Sequence, residues 1–142
     1  MNNEKRETIL KHYNEPLNYG LIDDENYEKI NTSIESCIDN IDIMIKIEHG
    51  IIKDIKFEAE ACVISKSATS VMIEILLNKT VEEAITICNE YEKMINGENY
   101  SEDILETAVI YSDISKQPNR QKCALLPWDG IKKVLIDKQN MI

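Results

Sequence analysis

Ile41, Ile43, Ile45 and Ile47 alternate with Asp42, Met44, Lys46 and Glu48. A period of two sends successive side chains to opposite faces, so this run predicts a half-buried strand and not a helix. His49-Gly50 then turns the chain, and Ile51, Ile55 and Phe57 recur on one side of the next segment against Asp54, Lys56 and Glu58 on the other. The two runs predict an antiparallel hairpin. Upstream, Ile30, Thr32 and Ile34 alternate with Asn31, Ser33 and Glu35, which adds a third strand.

The period then changes. From Ile64, apolar Ala68, Val71, Met72, Ile75 and Leu76 recur at steps of three and four, tracing one face of a helix that starts just after Cys62. Thr80-Val81-Glu82-Glu83 fits a capping box, followed by a stripe of Val81, Ala84, Ile85, Cys88 and Ile95 that ends at Asn96-Gly97. Ser101 is expected to cap a further helix through Ile104, Leu105, Ala108, Val109 and Ser112, broken near Pro118. A last helix, with Pro127 in its first turn, carries Trp128, Ile131, Val134 and Leu135, and Ile9, Leu10 and Tyr13 mark a short opening helix. The expected class is α+β, a three-stranded antiparallel sheet packed against several helices. Residues 1–142 contain no repeat, low-complexity tract or long linker and form one expected domain, large enough to bury a real core.

Net charge narrows the partners. With 26 acids against 16 bases the formal charge is −10, which disfavours nucleic acid phosphates and anionic lipid and favours a partner with a basic docking surface. No apolar run approaches a membrane span, and the polar start Met1-Asn2-Asn3-Glu4-Lys5-Arg6 lacks a signal-peptide stretch. The expected location is cytoplasmic, where thiols stay reduced and free to bind metal.

Those thiols are Cys37, Cys62, Cys88 and Cys123. In an extended chain the side chains of Cys37 and Asp39 in Cys37-Ile38-Asp39 point the same way, so a thiolate and a carboxylate can grip one cation together, and two more thiols would complete a tetrahedral Cys3Asp site. The spacing lacks the close C-x2-C pairs of zinc fingers, so the cysteines alone leave two readings open, metal ligands or small buried hydrophobes. Cys88, on its apolar stripe, is read as a core residue. Asp39 can equally be a strand-edge carboxylate, His12 a packing residue of the first helix and His49 a turn residue. With four glycines at 20, 50, 97 and 130, no nucleotide-binding loop can be built, and no triad, haem motif or catalytic pair of acids is visible. Function is expected to rest on the thiols.

The words around them carry a resemblance. His12-Tyr13-Asn14-Glu15-Pro16-Leu17-Asn18-Tyr19-Gly20, Cys37-x-Asp39, Phe57-Glu58-Ala59-Glu60-Ala61-Cys62-Val63-Ile64-Ser65 and Arg120-Gln121-Lys122-Cys123-Ala124-Leu125 follow in order along the chain. Together they resemble the NifU/IscU-like family of iron-sulfur assembly proteins over about residues 8–136, and within it the SufU group. The SufU likeness rests on an extra helical segment around Glu98 to Ser115, on Ser115-Lys116-Gln117-Pro118-Asn119-Arg120 where IscU proteins carry a chaperone-binding Leu-Pro-Pro-Val-Lys word, and on Lys122 where they carry histidine. Two glycine-bearing words are altered: Glu35-Ser36-Cys37-Ile38-Asp39 stands for Pro-x-Cys-Gly-Asp, and Ala59-Glu60-Ala61-Cys62 for Gly-x-Gly-Cys, so altered loop geometry is expected.

The resemblance implies that Cys37, Asp39, Cys62 and Cys123 hold Zn2+; Arg120, at the family's Arg-x-x-Cys position, is read either as a solvated charge or as a base that lowers the pKa of Cys123. It implies sulfur transfer from a pyridoxal-phosphate (PLP)-dependent cysteine desulfurase of the SufS kind to Cys37, displaced from the metal by a desulfurase histidine, and then release to downstream cluster assembly proteins. The alternative it carries is an IscU-like scaffold that assembles a [2Fe-2S] cluster on the same four residues.

Overall fold

The computed structural model describes residues 1–34 and 38–141. Helix α1 (Asn3–Asn14) leads to three strands, β1 (Glu28–Ser33), β2 (Asn40–Glu48) and β3 (Ile51–Glu60), followed by helices α2 (Val63–Leu76), α3 (Val81–Ile95) and α4 (Glu102–Leu105), a 3₁₀ helix (Glu106–Lys116) and α5 (Pro118–Asn140). The strands form one antiparallel sheet in the order β1-β2-β3. The expected α+β fold is therefore the observed one.

The hairpin folds in the predicted antiparallel way, but Met44, expected on the polar face, is buried, Ile47 is only half-buried, and the register is not regular. Ile45 pairs Ile55 and Lys46 pairs Asp54, but Ile47 pairs Ile52, so the register shifts between Lys46 and Ile47 and β3 carries a bulge. One extra residue reverses the alternation, so Ile52 and not Ile51 joins Ile55 and Phe57 in the core, all at 0% exposure. His49 takes the left-handed φ of +54° that the turn requires, with Gly50 beside it at +74°. β1 begins at Glu28 and ends at Ser33, leaving Ile34 beyond the strand, where its N–H donates to the Asp39 carbonyl.

Helix α2 lies at the centre. Eleven of its fourteen residues are buried, too many for an amphipathic surface helix, and it packs against α1, α5, β3 and the 3₁₀ helix. Three of its four buried hydroxyls link it to other elements. Ser70 Oγ pairs with His12 Nδ1 at 2.7 Å and accepts the Leu17 N–H, while Ser67 Oγ accepts the Tyr111 hydroxyl at 2.6 Å. Thr69 returns its hydroxyl to the Ser65 carbonyl, and Ser65 faces the thiols. Helix α3 opens on the predicted capping box of Thr80 and Glu83 and buries Val81, Ala84, Ile87, Cys88, Tyr91, Met94 and Ile95, so Ile87 replaces the half-buried Ile85 in its stripe.

Two helix boundaries differ from expectation. Ser101 makes no side-chain cap bond, and the helix it precedes stops after one turn because Glu106 adopts φ +48°; the chain then continues as the 3₁₀ helix. Helix α5 begins at Pro118, whose fixed φ suits a first turn, and Pro127 lies inside it. In α1, Ile9 and His12 are buried and Leu10 is exposed. No helix among the described residues is long and apolar enough to cross a membrane.

Candidate metal centre

Three elements end at one place. Asp39 precedes the first residue of β2, Cys62 is the N-cap of α2, and Cys123 sits in the second turn of α5. Strand β3 runs antiparallel to β2, with Asn40 paired to Glu60, so the start of β2 meets the start of α2. Helix α5 packs across α2 and brings the third donor. One carboxylate oxygen and two sulfurs, each within 4.8 Å of the others, converge there.

The carboxylate is fixed through both oxygens. Asp39 Oδ1 accepts the Cys62 N–H at 2.7 Å, and Oδ2 accepts the Ser65 hydroxyl at 2.6 Å with the Cys62 thiol 3.4 Å away. Asp39 is 2% exposed. Burial by itself raises its pKa, but donation from Ser65, from the Cys62 N–H and from the Cys123 and Cys62 thiols outweighs that and holds it below the ordinary carboxylate value. Cys62 Sγ in turn accepts the Ser65 N–H at 3.4 Å, a thiol taking the place of the usual cap oxygen.

Cys123 faces the opposite pressure, and the lowering expected from Arg120 is not found. Burial first, then the hydrogen bond and charge of Asp39 and the neighbouring Cys62, push its thiol up to about 12. The thiolate form of Cys123 is thus disfavoured beside the Asp39 carboxylate, and a bound divalent cation would remove that conflict.

Cys37 lies outside the described residues, so the convergence stands on Asp39, Cys62 and Cys123. Arg120 lines the adjoining cleft of about 520 Å³ together with Cys62, Val63, Ile64, Asn119 and Cys123. Cys88 is apart from the group, 2% exposed on α3, and burial raises its thiol to about 12. His12 packs against Ser70, and His49 turns the hairpin; neither joins the three donors.

At the three positions where the resemblance expects glycine, the backbone does not require it. Ile38, Ala59 and Ala61 are absent from the non-glycine positions with positive φ, which among the described residues are Asn18, His49, Asn78 and Glu106, so the backbone here does not need the left-handed freedom that glycine offers. Sequence reasoning missed Ser65. Its signal was a hydroxyl three residues after Cys62, at the third position of the helix that Cys62 caps.

Known proteins resemble this chain in sequence and in fold. The chain is 39% identical over 129 residues to the iron-sulfur cluster assembly scaffold protein IscU of Thermotoga maritima, covering 91% of this chain and 90% of that one. It is 33% identical over 129 residues to the zinc-dependent sulfurtransferase SufU of Bacillus subtilis, covering 90% and 86%. Among solved structures, a SUF-system iron-sulfur cluster assembly scaffold protein from Fervidobacterium islandicum AW-1 superposes with a TM-score of 0.85 at 32% identity, over 91% of this chain and 94% of that one. The family model described as the NifU-like N terminal domain matches residues 4–134, and the chain belongs to that family.

Proposed function

We propose that this chain is an iron-sulfur cluster assembly protein of the SufU kind: it holds one zinc ion on Asp39, Cys62, Cys123 and Cys37 and accepts sulfur on Cys37 from a PLP-dependent cysteine desulfurase. The convergence of Asp39, Cys62 and Cys123 within 4.8 Å carries this reading. The donor set fits zinc. Bond lengths of about 2.0–2.3 Å in a tetrahedron put neighbouring donors roughly 3.5–3.8 Å apart, so a small inward adjustment suffices. Support for the SufU kind comes from the zinc-dependent Bacillus relative and from the helical segment 102–116, which packs into the core through Tyr111 and Ile114.

Zinc bound there would keep its thiolates deprotonated near neutral pH and bring no redox chemistry of its own. The protein's part in the transfer is then nucleophilic. The Cys37 thiolate attacks the outer sulfur of the desulfurase persulfide, that S–S bond breaks, the desulfurase cysteine leaves as thiolate, and Cys37 carries the persulfide. Asp39, Cys62 and Cys123 stay in place, held by the hydrogen bonds that fix the carboxylate and by the helices that carry the two thiols. Downstream cluster assembly proteins would receive the sulfur. The free thiols of Cys62, Cys88 and Cys123 suit a reducing cytoplasm, and one contiguous core from Ile9 to Leu135 supports treating residues 1–142 as a single domain.

The 39% identity to a protein named as a scaffold supports a second reading, in which a [2Fe-2S] cluster forms on the same residues. Elemental analysis of protein purified without added metal decides between them. About one zinc per chain supports transfer, iron with labile sulfide supports the scaffold, and neither defeats both readings.

A further inference from the structure

The hydroxyl of Ser65 has one proton and two acceptors at the centre. Its Oγ lies 2.6 Å from Asp39 Oδ2 and 3.1 Å from the carbonyl oxygen of Cys123, and the residue is 0% exposed. A hydroxyl can serve one of these at a time. The carbonyl is available because of a feature of α5: in an α-helix the Cys123 carbonyl would take the N–H four residues on, and that residue is Pro127, which has none. Ser65 stands where the missing donor would have been replaced. The next carbonyl along, that of Ala124, also takes a side-chain donor, the Tyr91 hydroxyl at 2.8 Å, so this turn of α5 is fastened to its neighbours from two sides.

Oδ2 also lies 3.4 Å from Cys62 Sγ, while Oδ1 accepts the Cys62 N–H. A cation bound beside Cys62 Sγ would have Oδ2 within reach. The carboxylate that must turn to the metal is thus the one Ser65 holds.

Resting on the zinc reading above, we infer that Ser65 is a positioning residue that hands over its hydrogen bond: it orients Asp39 Oδ2 before metal binds and turns to the Cys123 carbonyl, left open by Pro127, when Oδ2 becomes a ligand. Neither state then strands a buried hydroxyl. Pro127 is part of the device, acting through the carbonyl of a proposed ligand.

The test is zinc affinity, measured by competition with a chromophoric chelator, on the whole chain as wild type, Ser65→Ala, Pro127→Ala and the double variant. Outer partners of metal ligands commonly change affinity by about 10–100-fold. Ser65→Ala should weaken zinc by about tenfold or more, and should alter the visible absorption of the cobalt-substituted protein because the carboxylate is no longer oriented. Pro127→Ala returns an N–H to the Cys123 carbonyl and should weaken zinc by a smaller factor, about threefold, with no added loss on top of Ser65→Ala. A Pro127→Ala protein with wild-type affinity, or losses that simply multiply in the double variant, overturns the handover. If Ser65→Ala does not fold, Pro127→Ala alone decides by the same affinity measurement. Failure of the wild type to bind zinc defeats the metal reading itself, whereas wild-type zinc with both single variants unchanged defeats only this inference.

Discussion

The backbone N–H of Cys62 donates to Asp39 Oδ1 over 2.7 Å, while the thiol of the same cysteine stands 3.4 Å from Oδ2. One residue therefore contacts both oxygens of the carboxylate, by its main chain and by its side chain. The entry to β2 and the N-terminus of α2 become a single unit, and a displacement of either donor must carry the other with it. Losing the Cys62 sulfur removes a donor without removing the N–H that holds Asp39.

It follows that Cys62→Ser and Cys123→Ser should each lose most of the zinc found in the wild type, and with it the thermal stabilisation that bound metal confers. Cys88→Ala should keep full zinc and cost about 1 kcal/mol from lost apolar volume on α3. Metal content by mass spectrometry beside thermal melts checks all three. Full zinc in both serine variants, or loss in Cys88→Ala, would show that the wrong trio has been chosen.

A pH dependence comes from α1. Burial lowers the pKa of His12 from its ordinary 6.5, with Glu74 opposing that shift and Lys11 adding to it, and Nδ1 is engaged by Ser70 Oγ at 2.7 Å. A lowered base binds fewer protons folded than unfolded. Its contribution to stability is complete above 6.5 and is lost as pH falls through the lower folded value. Unfolding midpoints of the metal-free protein should drop between about pH 7.5 and about pH 5.5, and His12→Gln should flatten that drop. Parallel curves for the two proteins would contradict it.

The sheet and its hairpin were legible because β-sheet periodicity shows directly in Ile41, Ile43 and Ile45. The bulge was not, since one added residue leaves no compositional mark and only reverses which of Ile51 and Ile52 faces inward. Pro127 misled for a physical reason: proline is common in a first turn, but here the turn it interrupts belongs to a helix already begun at Pro118. Glu106 gave no warning that it would take φ +48° and end α4 after one turn. At the centre, Asp39, Cys62 and Cys123 were legible as words in order along the chain. Ser65 was not, because its role depends on where Asp39 and the Cys123 carbonyl arrive from elsewhere in the fold.

Close packing between sheet and helix yields another expectation. A Cβ placed on Gly130 would sit 3.2 Å from Thr32 Cβ and 3.3 Å from its Cγ2. Thr32 cannot withdraw freely, since its hydroxyl donates to the Leu126 carbonyl at 3.2 Å on the same helix. Helix propensity favours Gly130→Ala by up to about 1 kcal/mol, whereas overpacking commonly costs about 1–3 kcal/mol. The clash should win by about 1 kcal/mol, lowering the melting temperature by about 3 °C. A variant more stable than wild type would mean that β1 yields at Thr32.

The transfer itself is tested with the desulfurase of the same organism. If Cys37 is the acceptor, adding this protein should raise the desulfurase's turnover of cysteine, because the persulfide it leaves behind must be taken away before the next cycle. Cys37→Ala should abolish that stimulation while the two proteins still bind, since a docking face formed by a chain of charge −10 need not include the thiol. Mass spectrometry after a single turnover should find one added sulfur on Cys37 and none on Cys88, whose buried thiol is pushed up to about 12 and so is scarcely ionised near neutral pH. Undiminished stimulation by Cys37→Ala would rule out relay through Cys37. A wild type that fails to stimulate but builds a cluster from iron and sulfide would instead establish the scaffold role.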